Sequence, residues 1–146
     1  MDQQMRAYHY TNCIHQPGDI ITAGRDSLTS FSGSKKAFEE ALREGHTNGH
    51  AIRSEALYVW EDGDFIPRIW PAVPAKYFYE VEIEEADILH RSNLNHYNDG
   101  LDAAKKGGPL DDIVAAYWSN APSSDTKPRI EILVTKARVI RLLLSK

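Results

Sequence analysis

Eight residues, Tyr77–Glu84, constrain this chain more than any other stretch. Tyr77, Tyr79, Val81 and Ile83 fall on one side of an extended chain, and Phe78, Glu80, Glu82 and Glu84 on the other. Alternation with period two belongs to a strand that has one face on a core and one toward water. A chain that carries it needs partner strands and a layer over the apolar face. The acids Glu80, Glu82, Glu84 and Glu85 read as a solvated strand face rather than a cation site.

The partner strands are readable elsewhere. Residues 7–11, Ala-Tyr-His-Tyr-Thr, are aromatic-rich with strand propensity, and Ile20-Ile21-Thr22 resumes an extended path after the turn signal Pro17-Gly18-Asp19. Residues 54–60, 129–134 and 137–144 are the other strand candidates, with a bend at Thr135-Lys136. Residues 35–44 place Ala37, Phe38, Ala41 and Leu42 on one helical stripe, with Ser34 as the expected cap and Gly45 as the stop. Residues 110–118 suit a short helix with acids in its first turn, after the break at Gly107-Gly108-Pro109. Residues 86–101 fit neither period. Pro67, Pro71 and Pro74 deny residues 67–75 a regular central strand. Residues 25–33 and 121–128 read as loops. Helices and strands are mixed without regular alternation, which predicts an α+β fold with two or three short helices rather than a doubly wound parallel sheet.

At 146 residues the chain suits one domain spanning 1–146, long enough for a sizeable core. A net charge of −4 and no basic run beyond a pair, such as Lys35-Lys36 or Lys105-Lys106, argue against a strong nucleic-acid footprint. No apolar run approaches the roughly 20 residues of a membrane span, and the first ten residues lack an apolar leader core. The one cysteine, Cys13, excludes an internal disulfide framework and a cysteine-rich zinc site. His46 and His50 have metal-compatible spacing, but Asn48-Gly49 between them is a turn signal, and no metal is expected. The expected setting is cytoplasmic.

Three strand candidates each carry a chemically interesting residue: His9, Tyr58 and Glu131. Taken alone, His9 between two tyrosines is a packed strand residue, and Tyr58 in an apolar strand is core. Glu131 between Ile130 and Ile132 either faces water by simple alternation or is buried, where an acid is costly unless paired or used.

The ordered set resembles the His-Tyr-acid branch of the ADP-ribosyltransferase superfamily. The run YHYTNCIHQPGDIITAG is similar to the opening of the rifamycin-modifying members, and IEILVTKARVI to the terminal glutamate strand of the DNA-modifying members. The resemblance implies two small packed sheets framing a cleft for NAD, the co-substrate. ADP-ribose would pass to an acceptor that is a protein, a small molecule or a nucleic acid. Breaking the nicotinamide–ribose bond gives an oxocarbenium-like sugar, so a fixed negative charge is needed beside it. On the resemblance Glu131 takes that role, His9 positions ribose hydroxyls, and Tyr58 offers a flat face to the nicotinamide. Backbone groups at Tyr10, with Thr11 beside it, would meet the carboxamide. Arg53, or Arg25 in a loop able to fold over the cofactor, would take the pyrophosphate.

The rifamycin-modifying members use an aspartate after a middle strand, and Asp87 stands in a comparable place as the alternative acid. Trp60 stands where the family has a polar residue after its tyrosine. Two other functions fit the same set: a catalytically silent domain that binds a protein or nucleotide, and an NAD glycohydrolase.

Overall fold

The computed structural model describes residues 4–23, 31–119 and 129–146. In chain order these hold β1 (Gln4–Thr11), β2 (Ile20–Ile21), α1 (Gly33–Glu44), α2 (Gly49–Glu55), β3 (Leu57–Trp60) and α3 (Phe65–Arg68). A 3-10 turn, β4 (Tyr77–Glu84), a second 3-10 turn (Glu85–Asp87) and β5 (Ile88–Asn93) follow. The chain then forms α4 (Leu94–Lys105), α5 (Asp111–Ser119), β6 (Ile130–Val134) and β7 (Ala137–Ser145). The α+β class expected from the sequence holds.

All seven strands lie in one antiparallel sheet of order β2-β7-β4-β1-β3-β6-β5. Two separate sheets were expected, and the correction turns on one rung. Tyr8 opposite Trp60 is the register pair that links β1 to β3 among the described residues. It stitches a four-stranded wing to a three-stranded wing, and the sheet curls around its own core. Ala7, Ile21, Val59, Val81, Ile132 and Val139, from six different strands, meet inside that curl. Each of the valines and isoleucines contributes about 1.5–3 kcal/mol when fully buried.

β4 behaves as its alternation dictates. Tyr79, Val81 and Ile83 are buried in the core, with Tyr77 packed against it. Glu80 and Glu82 keep only 15% and 14% of their side chains exposed and pair across strands with Arg6, Arg138 and Arg141. Phe78 departs from the expectation of a solvated face. It is fully buried beside Ile66, Val73 and Ala75, because the proline-bearing segment folds as α3 and the turn Trp70–Ala72 over that end of the strand.

Helices number five among the described residues, more than the two or three expected. α2 begins inside the Asn48-Gly49 turn signal and takes the start of the strand expected over residues 54–60, so β3 begins only at Leu57. The ambiguous stretch resolves into a strand and a helix. Asn93 caps that helix by accepting the Asn95 amide at 3.1 Å. In α1 the cap position is Ser32 rather than Ser34, and the buried stripe is Phe38, Glu39, Leu42 and Arg43, while Ala37 is exposed. α1, α4 and α5 pack around Phe38, Leu42, Val114 and Tyr117. Gly100 permits this: a Cβ there would sit 2.0 Å from the Phe38 ring. The Trp118 indole donates to the Leu42 carbonyl at 2.8 Å, a second partner beside the Gly45 amide at the end of α1.

Candidate functional site

A cleft of about 720 Å³ opens beside the junction of the two wings, within the range of about 300–1,000 Å³ common for small-molecule sites. Its origin is visible in the register. Tyr8 faces Trp60, and one more step of the same ladder would set Tyr10 opposite Tyr58. The strands part there instead. The His9 imidazole reaches across, and its Nδ1 donates to the Tyr58 carbonyl at 2.8 Å. A carbonyl only accepts, so that contact fixes the tautomer and leaves Nε2 as the acceptor of the neutral ring. Burial lowers the pKa of His9, against the opposing pull of that hydrogen bond. The neutral form therefore prevails near pH 7.

His9 on β1, Tyr58 on β3 and Glu131 on β6 all line this cleft. Glu131 is fixed by its neighbours in the sheet, opposite Trp60 on one side and Ser92 on the other. Its carboxyl is pushed up to about 7 by desolvation, while Arg53 pulls it down and Glu39 pushes it up. Tyr10 lies close enough that the charge of Glu131, after burial, raises its phenol pKa. Asp87, the alternative acid, lies elsewhere. It sits in the 3-10 turn after β4, where its carbonyl and carboxylate accept from the Thr135 amide and hydroxyl at 3.0 and 3.2 Å.

Tyr58 is held from behind. Its hydroxyl donates to the Arg53 carbonyl at 2.6 Å, and the Arg53 guanidinium lies 5.1 Å from the ring centroid. Burial raises the phenol's pKa well above the ordinary tyrosine range, so it stays a neutral donor.

Arg53 borders the cleft but does not offer the fork expected for a pyrophosphate. Nε donates to Glu39 Oε1 at 2.9 Å, Nη2 to Oε2 at 2.6 Å, and Nη1 to the Tyr117 hydroxyl at 2.8 Å. The side chain is buried among the Tyr58, Tyr97 and Tyr117 rings. The Nε–Nη2 edge of the guanidinium is thus taken up by a buried carboxylate, and three of its five N–H groups have partners within the protein. Arg25, the other candidate, lies outside the described residues, as does most of the loop at 25–33.

Sequence reasoning missed Lys35. It lies on the first turn of α1, lines the cleft, and holds its ammonium 4.4 Å over the Phe31 ring, which also lines it. The signal present in the sequence was a glycine two residues before the lysine; in the structure Gly33, at φ 60°, opens α1 there. Glu39 and Arg43 were missed too, since charged residues on a helical stripe read as solvated.

Thr11 lines the cleft, and its hydroxyl accepts the Cys13 amide at 3.1 Å. The Pro17-Gly18-Asp19 turn forms as expected, with Gly18 at φ 92° and the Gln16 amide donating to Asp19 Oδ2 at 2.8 Å. It is tied to β7 by the Gly18 and Val139 amides, each at 2.8 Å from its acceptor. This sets Ile20 and Ile21 on the rim. His46 and His50 go to different partners: the His46 ring lies against Trp118, and His50 Nδ1 is 3.5 Å from Arg43 Nη1. Among the described residues no helix is long and apolar enough to cross a membrane.

No family model matches the chain. A 3-dehydroquinate synthase from Corynebacterium jeikeium is 29% identical over 116 residues, which cover 74% of this chain and 29% of that protein. The chain therefore spans less than a third of the length of the protein it matches.

Proposed function

We propose that this chain is an NAD-dependent mono-ADP-ribosyltransferase. The observation that carries the reading is the arrival of His9, Tyr58 and Glu131, from three different strands, in one cleft of suitable volume. Each brings what the reaction asks for. His9 Nε2 accepts from a ribose hydroxyl. The face of Tyr58 away from Arg53 receives the flat nicotinamide ring. The ionised Glu131 carboxylate stands beside the sugar carbon. It opposes the positive charge that develops there as the C–N bond breaks and nicotinamide leaves with the bonding electrons. An acceptor nucleophile then closes the new bond to that carbon and gives up its proton. Lys35 supplies the cation for the pyrophosphate in place of Arg53.

The test is nicotinamide release from NAD by the purified chain, followed by chromatography, with Glu131→Gln as the comparison. Release by the wild type and not by the variant supports the reading. A folded wild type that binds NAD and releases none is instead the silent nucleotide-binding domain. Release without transfer to any acceptor makes it a glycohydrolase. The likeness to 3-dehydroquinate synthase covers too little of that protein to carry a rival activity.

A further inference from the structure

Behind the cleft lies a charged cluster that no reacting group needs to touch. Glu39, fully buried on α1, receives both Nε and Nη2 of Arg53 from α2 through its two carboxylate oxygens, at 2.9 and 2.6 Å. Arg43 approaches the same carboxylate at 3.4 Å. The third direction of the Arg53 fork goes to the Tyr117 hydroxyl on α5 at 2.8 Å. One guanidinium thus ties three helices together. The same residue reaches the sheet twice, its carbonyl accepting the Tyr58 hydroxyl and its guanidinium lying under the Tyr58 ring.

A buried ion pair is a poor way to gain stability, since desolvation of both charges consumes most of the attraction. A bidentate fork does fix geometry. Here the geometry it fixes is that of the cleft wall. We propose that Glu39 and Arg53 are positioning residues that hold the Tyr58 ring at the cleft and set the counter-charge felt by Glu131. The inference rests on the reading of the cleft as the reactive site.

The electrostatic half has a definite sign. Arg53 and Glu131 line the same cleft, and Glu39 sits directly behind Arg53; the two therefore act on Glu131 in opposite directions, the first favouring its ionised form and the second its neutral form. Tyr10 from β1, Tyr58 from β3, Tyr97 from α4 and Tyr117 from α5 also feel the charge of Glu131. Burial raises all four phenols, and Tyr97 is pushed up to about 12. They remain neutral through the physiological range, so beyond the larger effect of burial the charges that act on Glu131 are those of Arg53 and Glu39. A merely structural pair would not produce opposite responses on removal of its two members.

The experiment is a carboxyl-carbon NMR titration of the free protein with carbon-13-labelled glutamate. The Glu131 signal is assigned by its loss in Glu131→Gln. Glu39→Gln keeps the side-chain shape and is expected to move the Glu131 midpoint to lower pH. Arg53→Met is expected to move it to higher pH. Arg53→Lys keeps the charge and should leave it near the wild-type value, while losing the fork that seats Tyr58 and so raising the KM for NAD several-fold. Arg53→Met is the variant most at risk of misfolding, and Glu39→Gln with Arg53→Lys carries the test without it. A Glu131 midpoint unmoved by Glu39→Gln, or moved upward, overturns the inference. The titration needs no turnover: a failure here leaves the proposed reaction standing, and a failure to release nicotinamide leaves the titration result intact.

Discussion

The Nδ1 of His9 donates to the main-chain oxygen of Tyr58 across the gap where β1 and β3 separate, at 2.8 Å. The contact joins two candidate site residues through backbone, so the orientation of one reports on the strand that carries the other. His9→Ala removes both this bond and the Nε2 acceptor. A net hydrogen bond is worth about 1 kcal/mol, so NAD affinity measured by calorimetry should fall roughly 5- to 30-fold. Unchanged affinity would remove His9 from the site.

Glu131 must be ionised to oppose a cation, and desolvation pushes its pKa up to about 7. In the free protein kcat/KM for nicotinamide release should rise about tenfold per pH unit below that value and level off above it. Glu131→Gln should flatten this limb and lower kcat by about 10²–10³-fold, with little change in NAD affinity. A variant that keeps wild-type turnover would show that the charge is not used.

The same residue makes a prediction about stability. A carboxyl whose pKa is raised by folding favours the native state fully at pH below its ordinary value of 4.5, and that contribution is lost as pH rises through about 7. Glu131→Gln carries no such penalty. Thermal melts should therefore show the variant more stable than the wild type at pH 8, with the gap closing toward pH 5. A gap that widens toward acid would reverse the sign and refute the assignment.

Lys35 lines the cleft, and in the proposed reaction it takes the pyrophosphate. Lys35→Gln should raise the KM for NAD several-fold, leave kcat nearly unchanged, and weaken the salt dependence of binding. An effect on kcat alone would place Lys35 with the chemistry instead.

Gly100 tests the packing beneath the site. A methyl there would lie 2.0 Å from the Phe38 ring, which is fully buried and has nowhere to move. Gly100→Ala should cost about 1–3 kcal/mol by overpacking, read as a lower urea midpoint.

The strands were legible where one face met a core, and β4 is the clearest case, since its alternation gave both limits and the inner face. The strands carrying His9, Tyr58 and Glu131 were legible in place from their aromatic and β-branched residues, though not in their limits, since β1 begins at Gln4 and β3 only at Leu57. α2 was not, because seven residues, Gly49–Glu55, that contain histidine, arginine and serine show no apolar period. Its stability comes from tertiary contacts, above all Arg53 on Glu39. That ion pair was invisible for a deeper reason: the burial of a charge depends on its partner, and the partner lies 14 residues away on another helix. The assignment of Arg53 to a pyrophosphate did not foresee this partner. The choice between Glu131 and Asp87 as the residue nearer the cleft also needed the register, which sequence does not supply.

The single rung between Tyr8 and Trp60 has a consequence for how this fold balances its books. A ladder that ran on through Tyr10 and Tyr58 would add backbone hydrogen bonds and tighten the curl, each worth about 0.5–1.5 kcal/mol. The chain forgoes them. Across the gap the Tyr58 carbonyl is met by the His9 side chain rather than by the β1 main chain, so a guest that spans the gap joins the two wings where the ladder does not. Occupancy then doubles as reinforcement, worth about 2.7 kcal/mol at a hundred times the dissociation constant. Substitutions that sealed the gap would yield a sturdier sheet and a protein with no room between its wings.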